Sequence, residues 1–137
     1  TDELKELYQL GGRTVVDPTN LGIGRNPKIL REISDETNLN IVMGAGFYLQ
    51  PTHPDFVKSL TKRDISELIV NEFINGVDDT GIKIGIIGEI GISKDFTSEE
   101  EKVLRGAAMA SKVTKLPLSV HLPGWERHGN RVLDIAK

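Results

Sequence analysis

Two ionisable residues follow apolar runs at positions where a strand would end. Glu89 lies inside the glycine-rich run 85–91, and His121 closes the apolar run 116–121. A charge at the end of a buried strand is costly unless it has a partner, and a metal ion is one of the few partners that compensates it fully. Carboxylate oxygens and imidazole nitrogens are both ligands of divalent metals. The two residues therefore indicate a metal-dependent hydrolase.

Composition narrows the classes of function. The 137 residues are 38% hydrophobic and 27% charged, as in an ordinary globular domain with a buried core. With 17 Lys and Arg against 20 Asp and Glu, the net charge is −3, so a nucleic-acid partner is not favoured. The absence of cysteine excludes disulfides, zinc fingers and thiol catalysis. The lack of cysteine fits a reducing cytoplasm, where we expect the protein, and we expect no membrane partner because no apolar run approaches the length of a span.

Strand patterns and helix patterns alternate along the chain. Short runs rich in Val and Ile predict strands at 14–17, 40–45, 83–90 and 116–121, and amphipathic segments predict helices that begin near positions 2, 26, 61, 97 and 130. Buried strands separated by single helices are typical of a parallel sheet covered by helices. The sequence therefore predicts the α/β class, and it predicts an irregular loop at 48–60.

Local signals support three of the predicted helix starts. Asn26 is followed by a proline, which is the arrangement of an N-cap with proline in the first turn. Thr61 with Asp64 and Thr97 with Glu100 have the spacing of capping boxes. These helices are therefore predicted with well-defined first turns.

Four strands do not close a barrel, which typically has eight strands and about 250 residues. The remaining architectures are half of a TIM barrel and a small doubly wound sheet. Asp17, Glu89 and His121 all fall at the carboxyl ends of predicted strands, where barrel enzymes keep their chemistry. This placement favours the barrel, although Asp17 before a proline is more simply a turn former.

Several motifs occur in a characteristic order. They are Asp17-Pro-Thr-Asn-Leu-Gly-Ile-Gly-Arg25, Gly44-Ala-Gly-Phe-Tyr48, Asp79-Thr-Gly-Ile, Gly88-Glu89 and Pro117-Leu-Ser-Val-His121. In order and spacing the chain resembles the phosphotriesterase family of the amidohydrolase superfamily. The resemblance implies a TIM (β/α)8 barrel, of which residues 1–137 cover roughly strands two to five as a single domain that is incomplete at both ends.

The resemblance also implies a reaction and a set of roles. Members hold two divalent metals, usually zinc, with Mn, Co or Fe as other choices, and a bridging hydroxide attacks an ester, lactone, phosphotriester or amide. Glu89 takes the place of the bridging ligand, through which it is also catalytic, and His121 takes that of a single-metal ligand. Tyr48 lies where the family has an aromatic residue bordering the substrate pocket. The expected partner is a small-molecule substrate, and a homodimer is left open.

Position along the chain adds further residues that could contact the substrate. Arg127 and Trp125 follow His121 in the next loop, where side chains can reach a substrate. The other two histidines, His53 and His128, lie in polar loops, and we expect solvated imidazoles there. Gly22 and Gly24 do not complete a dinucleotide-binding fingerprint.

The bridge position raises a question of register. Many members use a carbamylated lysine there, and an ungapped alignment places that lysine at Gly88 rather than at Glu89. A slip of one residue reverses the face of a strand. We therefore predict a local bulge at Gly88, because glycine inside a strand is a common mark of one.

The remaining ligands of the family have no counterpart in these residues. Missing are the His-x-His pair of the first strand, the His of the sixth strand and the Asp after the eighth strand.

Two other functions stay open on sequence grounds. A TatD-type metal-dependent deoxyribonuclease shares the Gly-Glu-Ile-Gly and Pro-x-x-x-His patterns, and a non-catalytic binding barrel would keep the shape without the full ligand set.

Overall fold

The chain folds into a four-stranded parallel sheet with helices on one face. The computed structural model describes all residues, 1–137. Its elements are α1 (Asp2–Gln9), β1 (Thr14–Asp17), α2 (Pro27–Thr37), β2 (Asn40–Ala45), α3 (Lys62–Ile74), β3 (Ile86–Gly91), α4 (Ser98–Thr114), β4 (Leu118–His121) and α5 (Gly129–Ala136). The strands pair in the order β1-β2-β3-β4, all parallel. The predicted α/β class is confirmed, and the strands form half of a barrel.

Two strands begin later than predicted, for reasons of hydrogen bonding. Before β3, the carbonyl of Ile82 is taken by the amide of Val77 in a turn, so the ladder starts at Ile86 rather than at position 83. Before β4, the amide of Leu116 bonds the Thr114 side chain and its carbonyl accepts from Ser111. These turn contacts occupy the backbone amide and carbonyl groups that a longer strand would use to pair with its neighbour.

The predicted helix starts are confirmed by their caps. Asn26 accepts a hydrogen bond from the amide of Ile29, ahead of α2. Thr61 with Asp64 and Thr97 with Glu100 form complete capping boxes at α3 and α4. The predicted loop at 48–60 contains two short 3₁₀ helices, Gln50–Thr52 and Asp55–Ser59.

The hydrophobic core lies between the sheet and its helices. Strand side chains facing the helices include Ala45, Ile87 and Ile90, which are fully buried with α3 and α4 residues in one cluster of 17. The opposite face of the sheet carries Val16, which is 49% exposed, together with the two predicted metal ligands. No helix combines the length and apolar character that a membrane crossing requires.

Candidate metal centre

A bulge in β3 orients Glu89. Ala45 of β2 pairs with both Ile87 and Gly88, so two β3 residues oppose one β2 residue. On the other side, the register moves from Ile87 opposite Leu118 to Ile90 opposite Val120. Ile87 and Ile90 therefore both face the helices although they are three residues apart, and Glu89 points to the opposite face. The bulge predicted at Gly88 is confirmed, and Gly88 has the positive φ of 118° that favours glycine.

The loop after β1 holds the backbone of Glu89. The Glu89 amide donates to the carbonyl of Pro18 at 3.0 Å, and its carbonyl accepts from the side-chain amide of Asn20 at 2.7 Å. Asn20 is completely buried. A Cβ on Gly44 would lie 2.3 Å from the Gly88 carbonyl oxygen and 2.8 Å from the Pro18 Cα, so only glycine permits this crossing. Glu89 is thus oriented by a loop from a strand that does not pair with β3.

Glu89, His121 and Tyr48 form a continuous chain of contacts. The Oε1 atom of Glu89 lies 2.7 Å from Nδ1 of His121, and Nε2 of His121 lies 3.1 Å from the Tyr48 hydroxyl. The two rings meet edge to face, with centroids 5.0 Å apart. With Glu89 ionised and His121 neutral, His121 donates from Nδ1 and the Tyr48 hydroxyl donates to Nε2. The structure therefore brings together three of the four predicted site residues.

The surroundings keep Tyr48 protonated. Burial raises the pKa of the Tyr48 hydroxyl, and the negative charge of Glu89 raises it further. A neutral phenol can both donate and accept a hydrogen bond. The Tyr48 hydroxyl can therefore keep its hydrogen bond to Nε2 of His121 whichever ring nitrogen carries the proton, as donor in one case and as acceptor in the other.

The donor set matches part of a metal site. Glu89 supplies a carboxylate and His121 an imidazole, and their side chains are 35% and 39% exposed, so both can be reached by an ion. No group of three or more His, Cys, Asp or Glu in the structure is arranged to hold a metal. These residues fit a divalent ion as two of its ligands, and a stable site needs further donors.

Arg127 is not brought into this cluster. It is exposed, and it has no hydrogen bond or ion pair within the chain. Trp125 in the same loop is 78% exposed. The guanidinium of Arg127 is therefore unpaired, and its role in substrate binding stays a prediction.

The expectation of a solvated His53 is wrong. Its side chain is 1% exposed, with Nδ1 2.7 Å from Oε1 of Glu99 and Nε2 2.9 Å from the Tyr48 carbonyl. The ring also meets Phe47 edge to face at 5.9 Å between centroids. The polar sequence around His53 gave no signal of this burial, because Glu99, the partner of His53 on α4, is 46 residues away.

His128 and Asp17 each have a hydrogen-bond partner within the chain. Nε2 of His128 lies 2.8 Å from the carbonyl oxygen of Lys94, so this ring is partnered rather than freely solvated. The Oδ1 atom of Asp17 accepts from the Thr19 amide at 2.9 Å, which is the turn contact expected before a proline.

Glu100 has a wider role than its capping box predicts. It is completely buried, and its carboxylate accepts from the amides of Gln50, Ser93 and Thr97. Gln50 follows Tyr48 in the loop after β2, and Ser93 follows β3. One cap residue thus joins two loops at the carboxyl edge of the sheet.

Comparison with known proteins identifies relatives over nearly the whole chain. The sequence model of the phosphotriesterase family matches residues 1–136. An N-acetyltaurine hydrolase of Xenopus tropicalis is 42% identical over 124 residues, which are 90% of this chain and 35% of that protein. The chain thus spans about a third of the length of the curated relatives it matches.

Solved structures share the same architecture. A crystal structure of a resiniferatoxin-binding protein from Rhodobacter sphaeroides has a TM-score of 0.97 and 54% identity, covering 98% of this chain and 38% of that one. A phosphotriesterase homology protein from Escherichia coli, solved with phosphate in its active site, has a TM-score of 0.93 and 33% identity. It covers 98% of this chain and 47% of that one. The half-barrel therefore matches part of larger proteins.

Proposed function

The chain belongs to the phosphotriesterase family, and we propose that it contributes Glu89 and His121 to the metal centre of a hydrolase. Members of this family generally depend on two divalent metals. The observation that carries the proposal is the 2.7 Å contact between a carboxylate and an imidazole at the carboxyl ends of neighbouring strands. Family membership removes the TatD-type deoxyribonuclease from the proposal.

The residues of the chain have separate tasks in this proposal. Bound divalent ions would lower the pKa of a water molecule and polarise the bond to be hydrolysed. The two oxygens of Glu89 suit a bridge between cations, and His121 would offer the lone pair of Nδ1, the nitrogen that faces Glu89. The His121 proton then resides on Nε2, which would donate a hydrogen bond to the Tyr48 hydroxyl oxygen. We propose zinc as the metal, because a mixed nitrogen and oxygen donor set suits it.

An amide is the substrate class that the relatives favour. The Xenopus relative is named for hydrolysis of N-acetyltaurine, an amide that carries a sulfonate. The Escherichia coli structure has phosphate in its active site, which shows that the site of that protein accepts an anion. We propose an N-acyl amino compound with an anionic group as the small-molecule substrate, with the unpaired Arg127 as its anion contact. Esters, lactones and phosphotriesters are the other substrates to be assayed.

The experiment is a substrate panel on metal-stripped and reloaded full-length protein. The panel contains N-acetyltaurine, other N-acyl amino compounds, lactones and phosphotriesters. We expect amide hydrolysis that disappears with chelation and returns with zinc. Undiminished hydrolysis by the stripped protein would contradict the proposal, because Glu89 and His121 would then act without an ion.

A binding barrel without catalysis is the second candidate. The Rhodobacter sphaeroides relative, 54% identical to this chain, is named for binding resiniferatoxin rather than for a reaction. The same panel separates the two functions when binding is measured by calorimetry beside turnover. Binding without turnover of any compound, with zinc present, would favour the binding barrel over the hydrolase.

A further inference from the structure

His53 occupies an unusual place for a loop histidine. It lies between the two 3₁₀ helices after β2, yet 99% of its side chain is buried, and Glu99 beside it is 12% exposed. Both hydrogen-bond partners of the ring, the Glu99 carboxylate and the Tyr48 carbonyl, are acceptors. An imidazole that donates from both nitrogens carries a positive charge, which ionised Glu99 neutralises. The burial of this pair is therefore compensated at both nitrogens.

The pair acts on a short segment that is held at three points. His53 bonds the Tyr48 carbonyl, and the neighbouring Glu100 bonds the Gln50 amide at 3.2 Å. The backbone between them lies directly over Gly91, where an added Cβ would meet the Tyr48 carbonyl carbon and the next amide nitrogen at 2.4 Å. The backbone that carries the Tyr48 ring is thus tied to the end of β3 and to the first turn of α4.

The position of this segment sets the contact between Tyr48 and His121. The Tyr48 hydroxyl lies 3.1 Å from Nε2 of His121, near the upper end of hydrogen-bond length. A shift of the segment by a few tenths of an ångström would lengthen and weaken that bond. Without it, His121 loses the partner that orients its ring and fixes its tautomer.

We propose that His53 and Glu99 are positioning residues that hold Tyr48 against His121 and so keep Nδ1 of His121 directed at Glu89. The proposal rests on the metal centre proposed above and adds to it two residues that touch neither substrate nor ion. His53 acts through the Tyr48 carbonyl, and Glu99 acts through His53. Specific activity and the orientation of the His121 ring depend on this pair.

The test compares full-length zinc-loaded variants. Glu99→Gln keeps the size of the side chain and removes its charge, and His53→Ala removes the link altogether. We expect kcat/KM to fall by about tenfold to a hundredfold, since small misplacements of a positioned group have effects of this size. Asp55→Asn is the matched control: it removes a carboxylate from the same loop, where Asp55 is 98% exposed and paired only with Lys58, and it should leave kcat/KM unchanged.

Two further readouts separate positioning from general destabilisation. In a Tyr48→Phe background, the loss caused by Glu99→Gln should shrink to less than about threefold, because the hydroxyl through which it acts is gone. In metal-free protein labelled with ¹⁵N-histidine, the Nε2 resonance of His121 should move in Tyr48→Phe and, in the same direction, in Glu99→Gln. This second readout does not require a loaded or active enzyme.

The outcomes are distinct. An equal loss in both backgrounds, or an unmoved His121 resonance in folded Glu99→Gln, would overturn the positioning role. If wild-type protein binds no zinc, the proposed metal centre fails instead, and the His121 resonance still reports whether Glu99 acts on Tyr48. Should His53→Ala fail to fold, the isosteric Glu99→Gln decides alone.

Discussion

At the scale of single residues, Glu89 is oriented mostly by contacts of its backbone. Both of its main-chain polar groups bond the loop after β1, through Pro18 and the buried Asn20. This arrangement leaves the carboxylate free to meet His121 on the open face of the sheet. The fold of the chain therefore positions the carboxylate, which is the preorganisation that the proposed metal ligand needs.

Arg127 gives the first residue-scale prediction. Because its guanidinium has no partner in the chain, an anionic substrate can use it without breaking an ion pair. Arg127→Ala should raise KM by about tenfold or more, with kcat changed little, as expected for loss of uniform binding. Steady-state kinetics on N-acetyltaurine would measure this. Arg63→Ala on α3 is the control, and an equal rise in KM for both variants would contradict a specific contact.

Tyr48 gives a prediction about pH. Its pKa is raised in the folded protein by burial and by Glu89, so above pH 10 the folded state binds more protons than the unfolded state. Stability should therefore fall as pH rises from 10, and Tyr48→Phe should reduce that slope. Urea unfolding between pH 8 and 11 measures it. The control is Tyr8→Phe, which removes the second of the two tyrosines in residues 1–137 and should keep the wild-type slope. A slope that is unchanged in Tyr48→Phe would contradict the raised pKa.

At the scale of elements, the bulge in β3 depends on Gly88. Its φ is 118°, and a Cβ there would lie 2.2 Å from the backbone oxygen of Ser119. Gly24 is the matched control, with a φ of 99° and no atom within 4 Å of an added Cβ. Gly24→Ala should cost about 1 kcal/mol, and Gly88→Ala more, because a backbone clash adds to the conformational strain.

Chemical denaturation and metal analysis measure the two parts of this prediction. The free energy of unfolding should separate Gly88→Ala from Gly24→Ala, and only Gly88→Ala should also reduce bound zinc, since the bulge aims Glu89. Equal stability and equal zinc content in the two variants would show that β3 reaches its geometry without this glycine.

The elements also explain what sequence reasoning could predict. The capping boxes at Thr61 and Thr97 were predictable because their contacts span only three residues. The bulge at Gly88 was predictable because the bridging position of the family aligns with Gly88. In a strand whose side chains alternate regularly between faces, Glu89 would then point away from the metal site. The starts of β3 and β4 were not, since they depend on which turn takes the carbonyl of Ile82 and the groups of Leu116.

Buried polar groups mark the limit of prediction at the site. Glu89, His121 and Tyr48 could be predicted to lie together because parallel strands end at one edge of the sheet. The link from His53 to Glu99 could not, because it joins a loop to a helix 46 residues further along. The same holds for Asn20, whose bond to Glu89 spans 69 residues. Such contacts are set by tertiary packing rather than by local pattern.

At the scale of the whole molecule, these residues form half of a barrel with two strand edges. β1 and β4 are the outer strands of the sheet, and Val16 on β1 is 49% exposed. Unpaired strand edges associate with other chains. The isolated 137-residue chain should therefore self-associate with increasing concentration, as measured by light scattering after gel filtration.

Lysine substitutions test where this association occurs. Val16→Lys should reduce it, because a charge on an edge strand opposes pairing. Val113→Lys places the same change on α4, where Val113 is 66% exposed, and should have no such effect. An isolated chain that stays monomeric at high concentration would contradict the view that the edges need a partner.

The proposal that Glu89 and His121 hold a metal in this phosphotriesterase-family protein can be tested directly. The most direct measurement is the zinc content of full-length wild type, Glu89→Gln and the control Glu36→Gln, which changes an exposed residue of α2, by mass spectrometry after dialysis. We expect two zinc ions per chain in wild type and in Glu36→Gln, and less than one in Glu89→Gln. Two zinc ions retained by folded Glu89→Gln would contradict it.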